Sequence, residues 1–460
     1  MPATTTESPM TDPCVQPASD RSGVLNPDVF FVHVPKTGGT SLRALLEQYH
    51  PVSQIAPSDV IGRSAKEQGV PRPQIVRTSE IDAYTCFYAH TNYADFLRDG
   101  FARVTVLRDP MKRLRSLLNH WQTWTKQEIY RGPGSQAVKD LKYSSRNMAL
   151  EELLRIEESP IIRNFHNGMA KTLVSNFPIP EHVRLRGDAL LGKALHNLEH
   201  RMAWVGITER FDESLIVLCD RLGYPVPRAT QRLNVRKREG YSDSGAEDPA
   251  ITRALEYDRV VYRRGVEILD ESLAELRDRH AEQIAAGRAL MGCVDDAVAR
   301  RFVGLSDPAR PGLVGGTMDM ALRGIGWHER EGVDTKRVYR WTGPGTEATI
   351  ECLIKPADGY RVELGVVSVL GKSVLENTRF TINGVEPESV ELDRKLVNLS
   401  RSQPGRTVTL RFGGRPVGDD GFCRLLIETP GVCSHAEVDP SCGDRRPKGI
   451  AVCSWSIEAV

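Results

Sequence analysis

Three times within the first 222 residues, a short apolar run gives way to a stretch whose apolar residues recur at helical spacing. Few architectures accept that order. The first run, residues 29–34, is broken only by His33 and leads through Pro35-Lys36-Thr37-Gly38-Gly39 to Leu42, Leu45, Leu46 and Tyr49 at i, i+3, i+4 and i+7. The second, residues 104–107, ends at Asp109, which can cap a helix, and at Pro110, which suits a first helical turn. Leu114, Leu117, Leu118 and Trp121 then repeat the spacing. The third joins Trp204-Val205-Gly206-Ile207 to a helix capped near Asp212, with Leu215, Leu218 and Leu222 inward. Such units in series predict an α/β fold, with a parallel sheet flanked by helices and joined by right-handed crossovers.

A chain of 460 residues is too long for one core, since single domains stop growing at roughly 250–300 residues. Tyr262, Val266, Leu269, Leu273 and Leu276 mark a helix that closes the first domain, and Pro308, Pro311, Gly312, Gly315 and Gly316 then interrupt all periodicity. Further on, Tyr360, Val362, Leu364 and Val366 alternate with Arg361, Glu363 and Gly365, and Asn383-Gly384 is a strong hairpin signal. Residues 408–412 and 453–457 alternate as well. The predicted organisation is a flexible tail over 1–27, an α/β domain over 28–303, a linker over 304–326 and an all-β sandwich or jelly roll over 327–460.

Net charge is only +1, which argues against whole-molecule attraction to nucleic acid. Charge is concentrated locally: residues 101–142 hold nine basic and three acidic side chains. The N-terminal stretch has neither the basic start nor the apolar core of a signal peptide, and no run approaches the roughly 20 apolar residues of a spanning helix. These features lead us to expect a chain without a transmembrane segment, with peripheral membrane contact left open. Nine cysteines without a C-x-x-C pair fit reduced thiols better than a disulfide framework. Cys423, Cys433, Cys442 and Cys453 crowd the C-terminal end, yet tight ligand pairs are missing and no metal site is expected.

The chemistry centres on residues 30–42. A glycine pair between strand and helix lets backbone N–H groups approach an anion, the helix N-terminus adds partial positive charge, and Lys36 adds a full one. In a Walker A loop the lysine follows the last glycine; here it precedes the pair, so a nucleotide kinase remains the weaker alternative. Lysine first, glycines next and hydroxyls last resembles the 5′-phosphosulfate loop of sulfotransferases that use 3′-phosphoadenosine 5′-phosphosulfate (PAPS). Residues 104–116, with Arg108 at a strand end and Ser116 eight residues on, look like that family's 3′-phosphate segment. Arg108 offers a planar fork for phosphate, and Lys112 and Arg113 are expected to thicken the positive field.

Val205-Gly206-Ile207-Thr208-Glu209-Arg210-Phe211-Asp212-Glu213-Ser214 is similar to a recurrent segment of the carbohydrate branch of these enzymes, the heparan sulfate 2-O-sulfotransferase-like group with its bacterial relatives. Asn164-Phe165 followed by Gly168-Met169-Ala170 resembles a substrate-side helix more loosely. The likeness covers about residues 28–275. It implies a P-loop-like sulfotransferase fold, PAPS as co-substrate without a metal, a carbohydrate acceptor and a cytoplasmic enzyme. It further implies His90 as general base, in Tyr88-Ala89-His90 where the family has H-G-H, so that Tyr88 stands in place of a first histidine. Lys36 would meet the developing charge, Thr37, Gly38, Gly39, Thr40 and Ser41 would hold the 5′-phosphosulfate, and Arg108 and Ser116 the 3′-phosphate. His33 is expected to lie in the first strand and pack beneath the loop, and Arg236-Lys237-Arg238 to cover the nucleotide or meet an acidic acceptor. The C-terminal region looks like β modules beside bacterial glycan-modifying enzymes, through Gly326-Trp327 and residues 444–452, with Trp327, Tyr339 and Trp341 as candidate stacking surfaces. A glycan-binding scaffold with an inactive nucleotide fold is the non-enzymatic alternative.

Overall fold

The computed structural model describes residues 27–50, 52–57, 60, 79–90, 100–131, 136–156, 164–174, 185–224, 226, 248–304, 312–319, 322–332, 338–370, 373–393, 406–442 and 444–460. The expected tail, the stretch after His90 and the basic cluster Arg236-Lys237-Arg238 lie outside these residues.

The predicted strand-helix units form a four-stranded parallel sheet of β1 (Val29–Val32), β2 (Cys86–Ala89), β3 (Ala102–Leu107) and β4 (Trp204–Ile207), in the order β2-β1-β3-β4. All four β1 residues are buried, as expected for a strand covered on both faces. Helix α1 (Gly39–Gln48) follows β1 and α2 (Pro110–Gln122) follows β3. Asp109 caps α2 as expected, its carboxylate accepting from the Lys112 N–H at 2.8 Å. Further helices are α3 (Gly168–Leu173), α4 (Gly187–His200), α5 (Phe211–Leu222), the 31-residue α6 (Pro249–Arg279) and α7 (Leu290–Gly304). Gly265 lets α6 approach the sheet, because a Cβ there would stand 2.5 Å from the Leu107 side chain.

Arg113 corrects an expectation. It does not add to a surface field: it is fully buried, 3.3 Å from Asp258 on α6, and donates to the Asn164 carbonyl at 3.0 Å. Asp258 also accepts from the Met169 and Ala170 N–H groups, closing the N-terminus of α3. Burial pushes the Asp258 pKa up and the Arg113 pKa down, each opposed by the other's charge. The looser motif around Asn164 and Gly168 is thereby given a packing role, since a Cβ at Gly168 would lie 2.8 Å from Arg113 Nη2.

The C-terminal region is antiparallel. A three-stranded sheet orders β10 (Arg379–Ile382), β13 (Phe422–Glu428) and β8 (Glu347–Leu353). A seven-stranded sheet runs β11 (Ser389–Leu392), β12 (Arg406–Phe412), β9 (Tyr360–Val369), β14 (Ile450–Ala459), β7 (Tyr339–Thr342), β6 (Trp327–Glu331), with β5 (Leu313–Thr317) also paired to β14. The two sheets share one core, to which Ile350 and Leu425 contribute from one and Val362, Leu364 and Leu410 from the other. Two readings differ from this outcome. β5 falls inside the expected linker, and Asn383-Gly384 makes its two-residue turn, with φ of 49° and 85°, between strands that then part into different sheets.

Replacing Asp258 with alanine strands a buried guanidinium and opens the α3 N-terminus. We expect a loss of about 3–5 kcal/mol in urea unfolding; a loss below 1 kcal/mol would refute this account of the pair.

Candidate active site

In open parallel sheets a crevice forms outside the carboxyl ends of the strands where the strand order reverses. Here β1 is followed by β2 on one side and β3 on the other, so that point lies between β1 and β3. The residues singled out in sequence as His90, the glycine loop and Arg108 follow β2, β1 and β3 directly, and share this one edge.

Lys36 has φ 71°, a left-handed conformation that costs a non-glycine residue about 1–2 kcal/mol. Gly38 (φ 85°) is the N-cap of α1, so no side chain caps the helix and its first N–H groups face the loop. Gly39 is required by contact: a Cβ there would fall 2.1 Å from His33 Nε2. His33 does pack beneath the loop, although it lies just past β1 instead of within it. Thr37 departs from its expected role, since its buried hydroxyl donates to the Val34 carbonyl at 2.8 Å and leaves only the backbone N–H for an anion. Thr40 is exposed and Ser41 half-buried in the first turn of α1.

His90 is fixed by its Nδ1–H, which donates to the His33 carbonyl at 2.8 Å. In the neutral ring this leaves the lone pair on Nε2. The centroids of the two imidazoles stand 4.4 Å apart, and the Phe31 ring stacks on that of His33 at 5.0 Å. Burial lowers the His33 pKa to about 3, assisted by His90, Arg43 and Lys36, so His33 is neutral at pH 7. His90 is exposed along one side; desolvation by the rest of its surroundings still lowers its pKa, against the opposing effect of the His33 carbonyl. Beside it, the Arg43 guanidinium stacks 3.8 Å over the ring of Tyr88.

Arg108 donates from Nη1 to the Lys36 carbonyl at 3.1 Å, tying the end of β3 to the loop after β1. Ser116 sits six residues beyond Pro110 on α2, about 9 Å along the helix axis, and is half-buried. Thr208 and Glu209, to which the sequence pattern assigns no task, also reach this edge. The Thr208 hydroxyl bridges the Thr37 and Leu107 carbonyls at 2.6 and 2.9 Å, and Glu209 accepts from the Asp109 N–H and the Tyr262 hydroxyl, 3.9 Å from Arg108 Nε. Their signal is position: they follow β4 as the other site residues follow β1 to β3.

Among the proposed stacking residues, Trp341 is buried, 5.1 Å from Lys448 Nζ, while Tyr339 and Trp327 remain partly exposed. Residues 444–452 have structural work: Lys448 is fully buried between Glu331 (2.7 Å) and Asp444 (2.8 Å), and Arg446 reaches the same two carboxylates. Gly326 (φ 77°) lies where a Cβ would meet the Glu347 carbonyl at 2.0 Å. Among the described residues no group of three or more His, Cys, Asp or Glu side chains is placed to hold a metal, and no helix is long and apolar enough to cross a membrane.

No protein family and no curated protein matches this chain. Among solved structures, a family GH115 4-O-methyl-α-glucuronidase with specificity for decorated arabinogalactans aligns over 94% of this chain and 51% of its own, with 11% identity and a TM-score of 0.18. The chain thus spans about half the length of that enzyme, and a likeness at this level carries nothing about fold or chemistry.

Gly39→Ala should lose about 1–3 kcal/mol by driving a methyl into His33, read by thermal unfolding and by a shifted His33 imidazole resonance. Acid should weaken the fold too. His33 and His50, with pKa values lowered to about 3 and about 4, stay neutral when folded but charge near 6.5 when unfolded, so stability should fall as pH drops from 6.5 toward 4. Unchanged denaturation midpoints across that range would contradict both assignments.

Proposed function

We propose that the protein is a PAPS-dependent sulfotransferase that moves the sulfuryl group of PAPS to a hydroxyl of a carbohydrate acceptor. The observation that carries the reading is the pairing, on one sheet edge, of an imidazole with its Nε2 lone pair free of the fixing bond and a lysine-bearing glycine loop at a helix N-terminus. His90 Nε2 takes the acceptor proton as the acceptor oxygen bonds to sulfur. The bond from sulfur to the 5′-phosphate oxygen breaks, its electron pair stays on that oxygen, and adenosine 3′,5′-bisphosphate leaves. Lys36 and the N–H groups of Gly38, Gly39 and Thr40 meet the charge that gathers there. Arg108 and Ser116 hold the 3′-phosphate, the guanidinium giving up its bond to the Lys36 carbonyl to do so. Thr208 and Glu209 act as positioning residues, holding the loop to β3 and the turn before α2. The charge is met by protein cations and backbone dipoles, and no step is routed through a metal.

The test is transfer of radiolabelled sulfate from PAPS to a panel of glycans, run with and without EDTA. Lys36→Ala should reduce kcat/KM by about 10²–10³ and His90→Ala by about 10²–10⁴. Because the base must be neutral and its pKa lies below 6.5, the wild-type rate should be flat above that pH and fall on the acid side, a limb that His90→Ala removes. Wild-type turnover in both variants, or ATP turnover in place of PAPS turnover, would sink the proposal.

A further inference from the structure

Between α1, α5 and the β module lies a cavity of about 380 Å³, at the lower end of the roughly 300–1,000 Å³ range of ligand pockets and, like many of them, at a domain boundary. One wall is the phosphate-loop helix itself, with Ser41, Ala44 and Tyr49, next to Phe211 at the start of α5. The opposite wall comes from the β module and includes Trp327, Glu329, Gly345 and Glu347.

The walls specify a chemistry. Phe211 and Trp327, both partly exposed, offer apolar ring surface, and the indole N–H of Trp327 is engaged by the Thr349 carbonyl at 2.8 Å, which fixes its ring. Glu329 and Glu347 are hydrogen-bond acceptors that suit a ligand rich in hydroxyl donors; Arg340 and His328 also line the cavity, with Arg340 Nε donating to the Met318 carbonyl at 3.1 Å and His328 Nε2 to the Pro447 carbonyl at 2.6 Å. Ring faces with carboxylate acceptors match a neutral sugar, whose C–H faces stack while its hydroxyls donate. The proposed holders of the bisphosphate, Arg108 and Ser116, follow β3 and do not line this cavity.

Position links the cavity to the reaction. Ser41, which lines the cavity, stands two residues beyond Gly39, about 3 Å along the axis of α1, so the cavity reaches the first turn of the helix that follows the loop. His90 does not line it. We infer that the cavity between the two domains is a subsite for an uncharged sugar unit of the acceptor, next to the unit whose hydroxyl faces His90, and that the β module thereby selects oligomeric over monomeric acceptors. As an account of acceptor choice this rests on the sulfotransferase reading; as a sugar site it does not.

Two substitutions fill the cavity from opposite walls: Ala44→Phe on α1, and Gly345→Phe at a position where a Cβ meets nothing within 4 Å. Binding of cellohexaose, mannohexaose and xylohexaose to the full chain, followed by calorimetry and saturation-transfer NMR without any donor present, is the direct probe. At least one hexasaccharide should bind the wild type, and both variants should bind it at least ten-fold more weakly with unchanged melting temperature and unchanged affinity for adenosine 3′,5′-bisphosphate. Should one variant fold poorly, the other carries the test. Failure of all three sugars to bind, equal binding by the variants, or displacement of the sugar by adenosine 3′,5′-bisphosphate overturns the inference. Sugar binding without sulfuryl transfer would leave the subsite standing and remove only the proposed reaction.

Discussion

The reversal of strand order at β1 sets the geometry of the candidate site. Because β2 lies on one side of β1 and β3 on the other, the strand order reverses at β1, and the ends of β1 and β3 flank the point of reversal. The loop that emerges there is held open by its neighbours. Arg108 bonds the Lys36 carbonyl, the Thr208 hydroxyl the Thr37 carbonyl, and His33 fills the space a side chain at Gly39 would claim. A left-handed lysine persists because these contacts over-determine it.

Much of this was legible because it is local. Strand ends, the Asp109 cap, the glycine loop and the inward side of β9 all follow from spacings within a dozen residues, which a single sequence displays directly. What escaped depends on distant partners. Arg113 reads as one basic residue among several until Asp258, 145 positions away, appears beside it. Thr37 looks like another hydroxyl in a hydroxyl-rich loop, and only the path of the backbone shows its proton going to Val34. β5 was hidden by the very residues that let it pair: a Cβ at Gly315 would sit 2.6 Å from the Trp455 carbonyl, so the strand needs glycine there and loses its alternation. The Asn383-Gly384 turn was read correctly as a turn, but Asn383 bonds the Phe422 carbonyl and the Arg424 N–H, drawing β10 to β13 instead of to β11.

The two halves of the chain are joined by more than adjacency. Arg330 on β6 donates to the carbonyls of Glu47 and His50, at the C-terminal end of α1, and to the Asp319 carbonyl at 3.0 Å. Those carbonyls carry the negative end of the dipole whose positive end faces the glycine loop, and a buried guanidinium, with its side chain 6% exposed, is well matched to them. His50 itself is held by Thr85 (2.9 Å) before β2 and by Tyr224 (3.1 Å) after α5.

That cap has a consequence for how the protein comes into being. Arg330 follows Glu47 by 283 residues, so at roughly 5–20 residues per second the ribosome adds it about 15–60 s after the helix it completes. During that interval α1 leaves its last carbonyls to water, and its link to the β module does not yet exist. The glycine loop thus precedes by more than 283 residues the side chain that completes its helix, and a chain broken off before β6 would retain the loop without the support beneath it.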